Sequence, residues 1–185
     1  MNPLDQLMQE HQNIIAGIEK LERAATRLER GEEVPPEFFR RMIDFIRNYA
    51  DRYHHAKEEN ILFARMAEIG FSPEMGPVAV MLHEHDLGRR YVAALESATE
   101  RYAAGNRDAV KDIIENALGF AETLRQHIHK EDMILYPMAQ SALGEMGIHL
   151  MQSDFERIEQ EKRGIEDKYL ELLAQLETET VRVGS

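Results

Sequence analysis

The chain reads as all-α, an up-down-up-down four-helix bundle with one additional C-terminal helix. Three observations predict this class. Apolar residues recur at three-, four- and seven-residue steps almost throughout. No segment alternates with the period of two that marks a strand. Glycine and proline fall in short clusters between the periodic stretches, which leaves brief loops and antiparallel neighbours.

The first helix carries Leu4, Leu7, His11, Ile14, Ile18, Leu21 and Leu28 on one face and ends at Gly31. Val34-Pro35-Pro36 opens the second, proline suiting a first helical turn. Its inward line is Phe39, Ile43, Ile46, Ala50, His54, Glu58, Ile61 and Arg65, and it stops near Gly70. Ser72-Pro73 and Gly76-Pro77 precede the third helix, whose buried line is Val78, Met81, His85, Val92, Leu95 and Thr99. After Gly105-Asn106 the fourth carries Val110, Ile113, Ala117, Phe120, Leu124, His127, Glu131, Leu135 and Met138, and Pro137 is expected to kink or shorten its end. Gly144 and Gly147 interrupt the chain. A fifth helix is expected from about Ser153, with Phe155, Ile158, Ile165, Tyr169, Leu172 and Leu176 inward, and the tail 181–185 is expected to fray. Residues 1–140 thus form the bundle, and 141–185 an extension packed on it.

At 185 residues the chain is long enough to bury a substantial core. Its net charge of −12 argues against nucleic acid and anionic membrane surfaces as partners. No apolar run approaches a membrane span, and the N-terminus lacks a basic segment backed by an apolar one, so a cytoplasmic location is the default expectation. With no cysteine, disulfides, thiolate metal sites and iron–sulfur clusters are excluded.

The chemistry lies in a repeated phrase. His54-His55-Ala56-Lys57-Glu58-Glu59-Asn60-Ile61-Leu62-Phe63 and His127-Ile128-His129-Lys130-Glu131-Asp132-Met133-Ile134-Leu135-Tyr136 align at an offset of 73 residues. Glu10-His11 and Glu84-His85 recur at an offset of 74. His and Glu four residues apart lie about 40° apart on an α-helix, so each pair shares a face. Two hairpins, each giving one histidine from its first helix and a His-Glu pair from its second, bring together His11, His54, Glu58, His85, His127 and Glu131. A single inward histidine is most simply a core residue bonded to a backbone carbonyl. Two buried glutamates, however, cost several kcal/mol each without a cationic partner. Lys57 and Lys130 are expected to extend outward. On α-helical phase His55, His83 and His129 turn to the surface or to supporting positions, His149 is exposed, and Glu59 and Asp132 are solvated. Glu10 and Glu84 face either solvent or the site's periphery.

Imidazole and carboxylate without sulfur suit iron or manganese first and zinc second. Two glutamates on opposite helices can bridge a pair of ions together with a solvent oxygen and leave open positions. An apolar bundle interior then admits small, weakly polar ligands: dioxygen, nitric oxide or peroxide.

These motifs, with Gly88-Arg89 and Leu135-Tyr136-Pro137, resemble the hemerythrin-like proteins, or HHE cation-binding domains, over residues 4–140. The resemblance implies a four-helix bundle, a non-haem di-iron centre, and binding or sensing of dioxygen or related species; some members handle iron or nitrosative stress. The chain departs from the oxygen carriers in having Met81 and Arg89 where a further third-helix histidine would stand. It also offers Glu131 at four and Asp132 at five residues after His127, of which Glu131 keeps the better phase. These departures favour sensing, peroxide chemistry or reaction with nitric oxide over stable oxygen carriage. Enzymatic turnover stays open, as do iron storage or donation and a protein partner bound through the C-terminal helix.

Overall fold

The computed structural model describes the backbone of residues 1–182 and the side chains of residues 1–177. Among these residues every regular element is helical. Helix α1 is Pro3–Glu29. Helix α2 covers residues 36–68 and is composite: α-helical at Pro36–Phe45, π-helical at Ile46–His55 and again at Glu58–Leu62, then α-helical at Phe63–Glu68. Helix α3 is Pro77–Ala103. Helix α4 begins as Ala109–Lys130, passes through a π turn at Glu131–Leu135 and runs on to residue 143. Helix α5 covers residues 145–161, and α6 is Ile165–Arg182.

The starts follow the sequence chemistry. Asn2 caps α1 by accepting the Leu4 N–H at 2.9 Å. Pro3, Pro36 and Pro77 each occupy a first turn, where a missing N–H costs nothing. Two ends differ from expectation. Pro137 does not stop α4; the π turn directly before it absorbs the irregularity and the helix continues to Gly144, where φ of 64° breaks it. The single C-terminal helix is in fact two, α5 and α6, separated at Gly164 with φ of 82°. Ile158 and Ile165 lie seven residues apart, so the sequence pattern runs across the break unmarked. Of the tail expected to fray, Val181 and Arg182 close α6, and 183–185 lie outside the described residues.

The core divides into two apolar clusters. One contains Ile14, Ile18, Phe39, Tyr49, Val92, Leu95, Phe120 and Leu124; the other contains Leu4, Leu7, Ile61, Phe63, Val78, Met81, Leu135 and Tyr136. Helices α1 and α3 run from the second cluster to the first, and α2 and α4 run back. Where they cross between the clusters lie Glu10, His11, His54, Glu58, His85, His127 and Glu131, all buried. Helix α5 adds Met151 and Phe155 to the second cluster, and α6 adds Tyr169, Leu173 and Leu176 to the first.

Candidate metal centre

The polar layer is built twice. His11 and His54 face each other with ring centroids 4.6 Å apart at 59°. His85 and His127 repeat the arrangement at 4.7 Å and 64°, their Nε2 atoms 3.0 Å apart. Two bonds of about 2.1 Å to one ion, at right angles, would separate two nitrogens by about that distance.

Each imidazole is held from behind. Through Nδ1, His54 donates to Glu10 at 2.9 Å, His127 to Glu84 at 3.0 Å, His11 to Asp132 at 2.7 Å and His85 to Glu59 at 2.7 Å. A carboxylate behind a ligating histidine fixes its orientation and tautomer and raises its basicity, leaving Nε2 for the centre. Glu10 and Glu84 therefore take the supporting role that the sequence left open. Glu59 and Asp132 correct the expectation of solvated residues: both are half-buried and bonded to imidazoles. Asp132 is thereby committed to the back of His11, while Glu131 faces inward.

Glu58 and Glu131 sit between the two histidine pairs. Glu131 Oε1 lies 3.1 Å from His127 Nε2 and its Oε2 3.3 Å from His11 Nε2. Glu58 Oε2 lies 3.4 Å from His85 Nε2 and 3.6 Å from His54 Nε2. Its Oε1 accepts the Tyr136 hydroxyl at 2.5 Å. Two groups of donor atoms result, each within 4.8 Å: His11, His54, Glu58 and Glu131, and His55, Glu58, His85 and His127. His54 Nε2, Glu58 Oε2 and both Glu131 oxygens are buried without a hydrogen-bond partner among the described residues. Leaving such groups unmet is costly, so the donor set fits a cationic occupant.

The electrostatics point the same way. Burial disfavours a charged His127, but Glu131 and Glu84 outweigh it and hold its pKa up at about 10. For His11, Asp132 and Glu131 outweigh burial and raise it to about 9. Burial would raise the Glu131 carboxyl, yet His127 and His11 bring it well below the ordinary range. His54 is driven down by burial and stays neutral. Without a metal, protons on His11 and His127 thus supply the positive charge that Glu131 requires.

His55, for which the sequence left surface and supporting positions open, takes the supporting one. It is buried, its ring stacks on His85 at 3.9 Å and 13°, and its Nδ1 lies 3.4 Å from Asp51 Oδ1. An α-helical step of 100° sends it outward. The chain from Ile46 to His55 is π-helical, and its wider turn rotates successive residues by less, so His54 and His55 both reach the interior. The residues from Ile46 to Tyr53 include no glycine or proline to mark that winding in the sequence. Lys57 is a second correction. Instead of extending outward it is fully buried, bonded to Glu10 and to Glu159 of α5 and lying over the Tyr53 ring. Its counterpart Lys130 bonds Glu84 and is one-third exposed. His83, His129 and His149 are exposed, as expected.

A cavity of about 140 Å³ abuts only one of the pairs, reaching His85, His127 and His55 between α2, α3 and α4. No described helix is long and apolar enough to cross a membrane.

Comparison with known proteins agrees with this geometry. The family model of the hemerythrin HHE cation binding domain matches residues 2–139. An uncharacterized protein of Mycobacterium tuberculosis is 21% identical over 138 residues, covering 75% of this chain and 53% of that one. The iron-sulfur cluster repair protein YtfE of Pectobacterium carotovorum is 31% identical over 88 residues, covering 46% of this chain and 40% of its own. The chain thus spans about half the length of the curated relatives it matches. No solved structure matches it significantly. With two buried His/Glu groups in the matched region, the chain belongs to the hemerythrin HHE cation-binding domain family.

Proposed function

We propose that residues 1–140 form an up-down-up-down four-helix bundle holding two iron ions, and that the centre binds or senses dioxygen, nitric oxide or peroxide. The observation that carries this reading is the doubled imidazole pair, each ring backed by a carboxylate, around two glutamates with unpartnered oxygens. In it His11 and His54 would hold one ion and His85 and His127 the other, with Glu58 and Glu131 as the carboxylate donors that both histidine pairs face. Bound iron would supply vacant coordination positions and reversible electron transfer.

The protein's own part is positioning. Glu10, Glu84, Asp132 and Glu59 orient the four rings, Tyr136 holds Glu58 Oε1, and the two apolar clusters exclude bulk water. Residues 141–185 pack on the bundle as an extension that covers the His11/His54 side. Protein purified without oxygen and reconstituted with iron should retain about two ions per chain and change its visible spectrum on exposure to oxygen or nitric oxide. A chain that takes up no iron refutes the reading.

The similarity to an iron-sulfur cluster repair protein favours a second reading, in which the centre stores iron and delivers it. That reading requires readily exchangeable iron and transfer to a metal-free acceptor protein. Iron that resists chelation rules it out.

A further inference from the structure

Among the described residues, a cavity meets the His85–His127 half of the centre. The cavity of about 140 Å³ is lined deep inside by Ile46, Val92, Phe120 and Leu124, all buried, and ends on His55, His85 and His127. At its other end stand Arg47 and Arg89, whose side chains are 37% and 38% exposed. An apolar cavity of about this volume is large enough to hold benzene or xenon, so this space admits diatomic and triatomic molecules with room to spare. Neither His11 nor His54 lines it.

His55 stands at its inner end. An imidazole coordinates through a lone pair in the ring plane, so a bound ion must lie in that plane. His85 and His127, inclined at 64°, can share an ion. His55 and His85 are face-stacked at 13°, their planes nearly parallel, and one ion cannot lie in both. His55 nevertheless has a ring nitrogen within 4.8 Å of the donor atoms of Glu58, His85 and His127. It is placed to contact what that ion binds, rather than to bind the ion. At the repeat-related position stands Ile128, which has no nitrogen to offer and is buried in the apolar core.

We propose that small exogenous ligands reach the centre through this cavity, bind on the His85–His127 side only, and are held there by a hydrogen bond with the His55 imidazole. The inference rests on the metal-binding reading above. It makes the two ions functionally unequal despite their matching histidine pairs.

The test uses the full chain loaded with cobalt(II), azide as the probe ligand, and xenon as a probe that needs no metal. Wild type should take up two cobalt ions, change its visible spectrum with azide, and hold xenon in the cavity in pressurised crystals. His55→Phe keeps the stack on His85 and should retain both ions, while azide affinity falls about ten-fold or more, the loss of one hydrogen bond to a charged ligand. Thr123→Phe, at a half-buried position on the cavity wall, should exclude xenon and slow azide binding at least about ten-fold. A wild type that takes up no cobalt refutes the metal-binding reading itself. With both ions bound, equal azide affinity and rate in all three proteins overturns both the access route and the His55 hydrogen bond and leaves the metal-binding reading standing. Loss of one cobalt from His55→Phe makes His55 a ligand and overturns its role as ligand-contacting group.

Discussion

The two halves of the centre share a plan and differ in their surroundings. His11–His54 and His85–His127 have the same spacing and inclination within 0.1 Å and 5°. Each pair has an aromatic ring beside it at equivalent repeat positions: Tyr136 stacks on His11 at 5.6 Å, and Phe63 on His85 at 5.9 Å. The differences begin one layer out. Tyr136 adds a hydroxyl that engages Glu58, which Phe63 cannot do. Lys57 is sealed beneath α5 by Glu159, whereas Lys130 reaches solvent. On one side Ile128 fills the core; on the other His55 stands beside a cavity. The repeat thus supplies equal donors, and the packing around it decides which side is closed.

The shared plan is most directly broken at a glutamate that serves both halves. Glu131→Ala should abolish retention of both ions, whereas His83→Ala, at an exposed position, should leave metal content at the wild-type level by elemental analysis. The closed side is tested through its buried charges. Lys57→Ala leaves Glu10 buried without its lysine partner and should destabilise the chain by about 3 kcal/mol. Lys130→Ala, its one-third-exposed counterpart, should cost under about 1 kcal/mol. Denaturant unfolding of the two variants gives the comparison, and equal losses would deny that the halves are differently enclosed.

The supporting carboxylates offer a finer test. Asp132→Ala and Glu59→Ala each release one ring, His11 or His85, and each should weaken one metal ion by about 10–100-fold, measured by cobalt titration. The smallest effect is graded with pH. His11 and His127 have pKa values raised from the ordinary 6.5 to about 9 and about 10. Their contribution to the stability of the metal-free fold is full below pH 6.5 and is lost as pH rises through 9 to 10. His54 acts oppositely, because burial lowers its pKa: its contribution is present above pH 6.5 and is lost on acidification. Metal must displace the protons on His11 and His127, so apparent metal affinity should rise with pH up to about 10. Melting curves with and without metal, from pH 6 to 10, should therefore diverge toward alkaline pH.

Much of this centre is legible along the chain because a repeat states it twice. The 73- and 74-residue offsets and the α-helical phase single out His11, His54, Glu58, His85, His127 and Glu131, and the fold brings all six into one buried layer. Phase reasoning failed where the helix is not an α-helix. His55 lies in the π-helical stretch of α2, and Glu59 and Asp132 lie in the π turns that begin at Glu58 and Glu131. Glu59 and Asp132, expected to be solvated, turn toward the centre, and His55, left between the surface and a supporting position, is buried beside it. Lys57 failed for another reason: its partner Glu159 is 102 residues away on a helix outside the repeat.

The sequence by itself therefore determined the helical class, the doubled hairpin and the inward donors, because these follow from periodicity and local phase. The tertiary structure alone decided which carboxylate stands behind each imidazole, which lysine is buried, and which side of the centre meets a cavity. Those depend on π-helical winding and on contacts between helices distant in sequence, neither of which leaves a periodic trace in the chain.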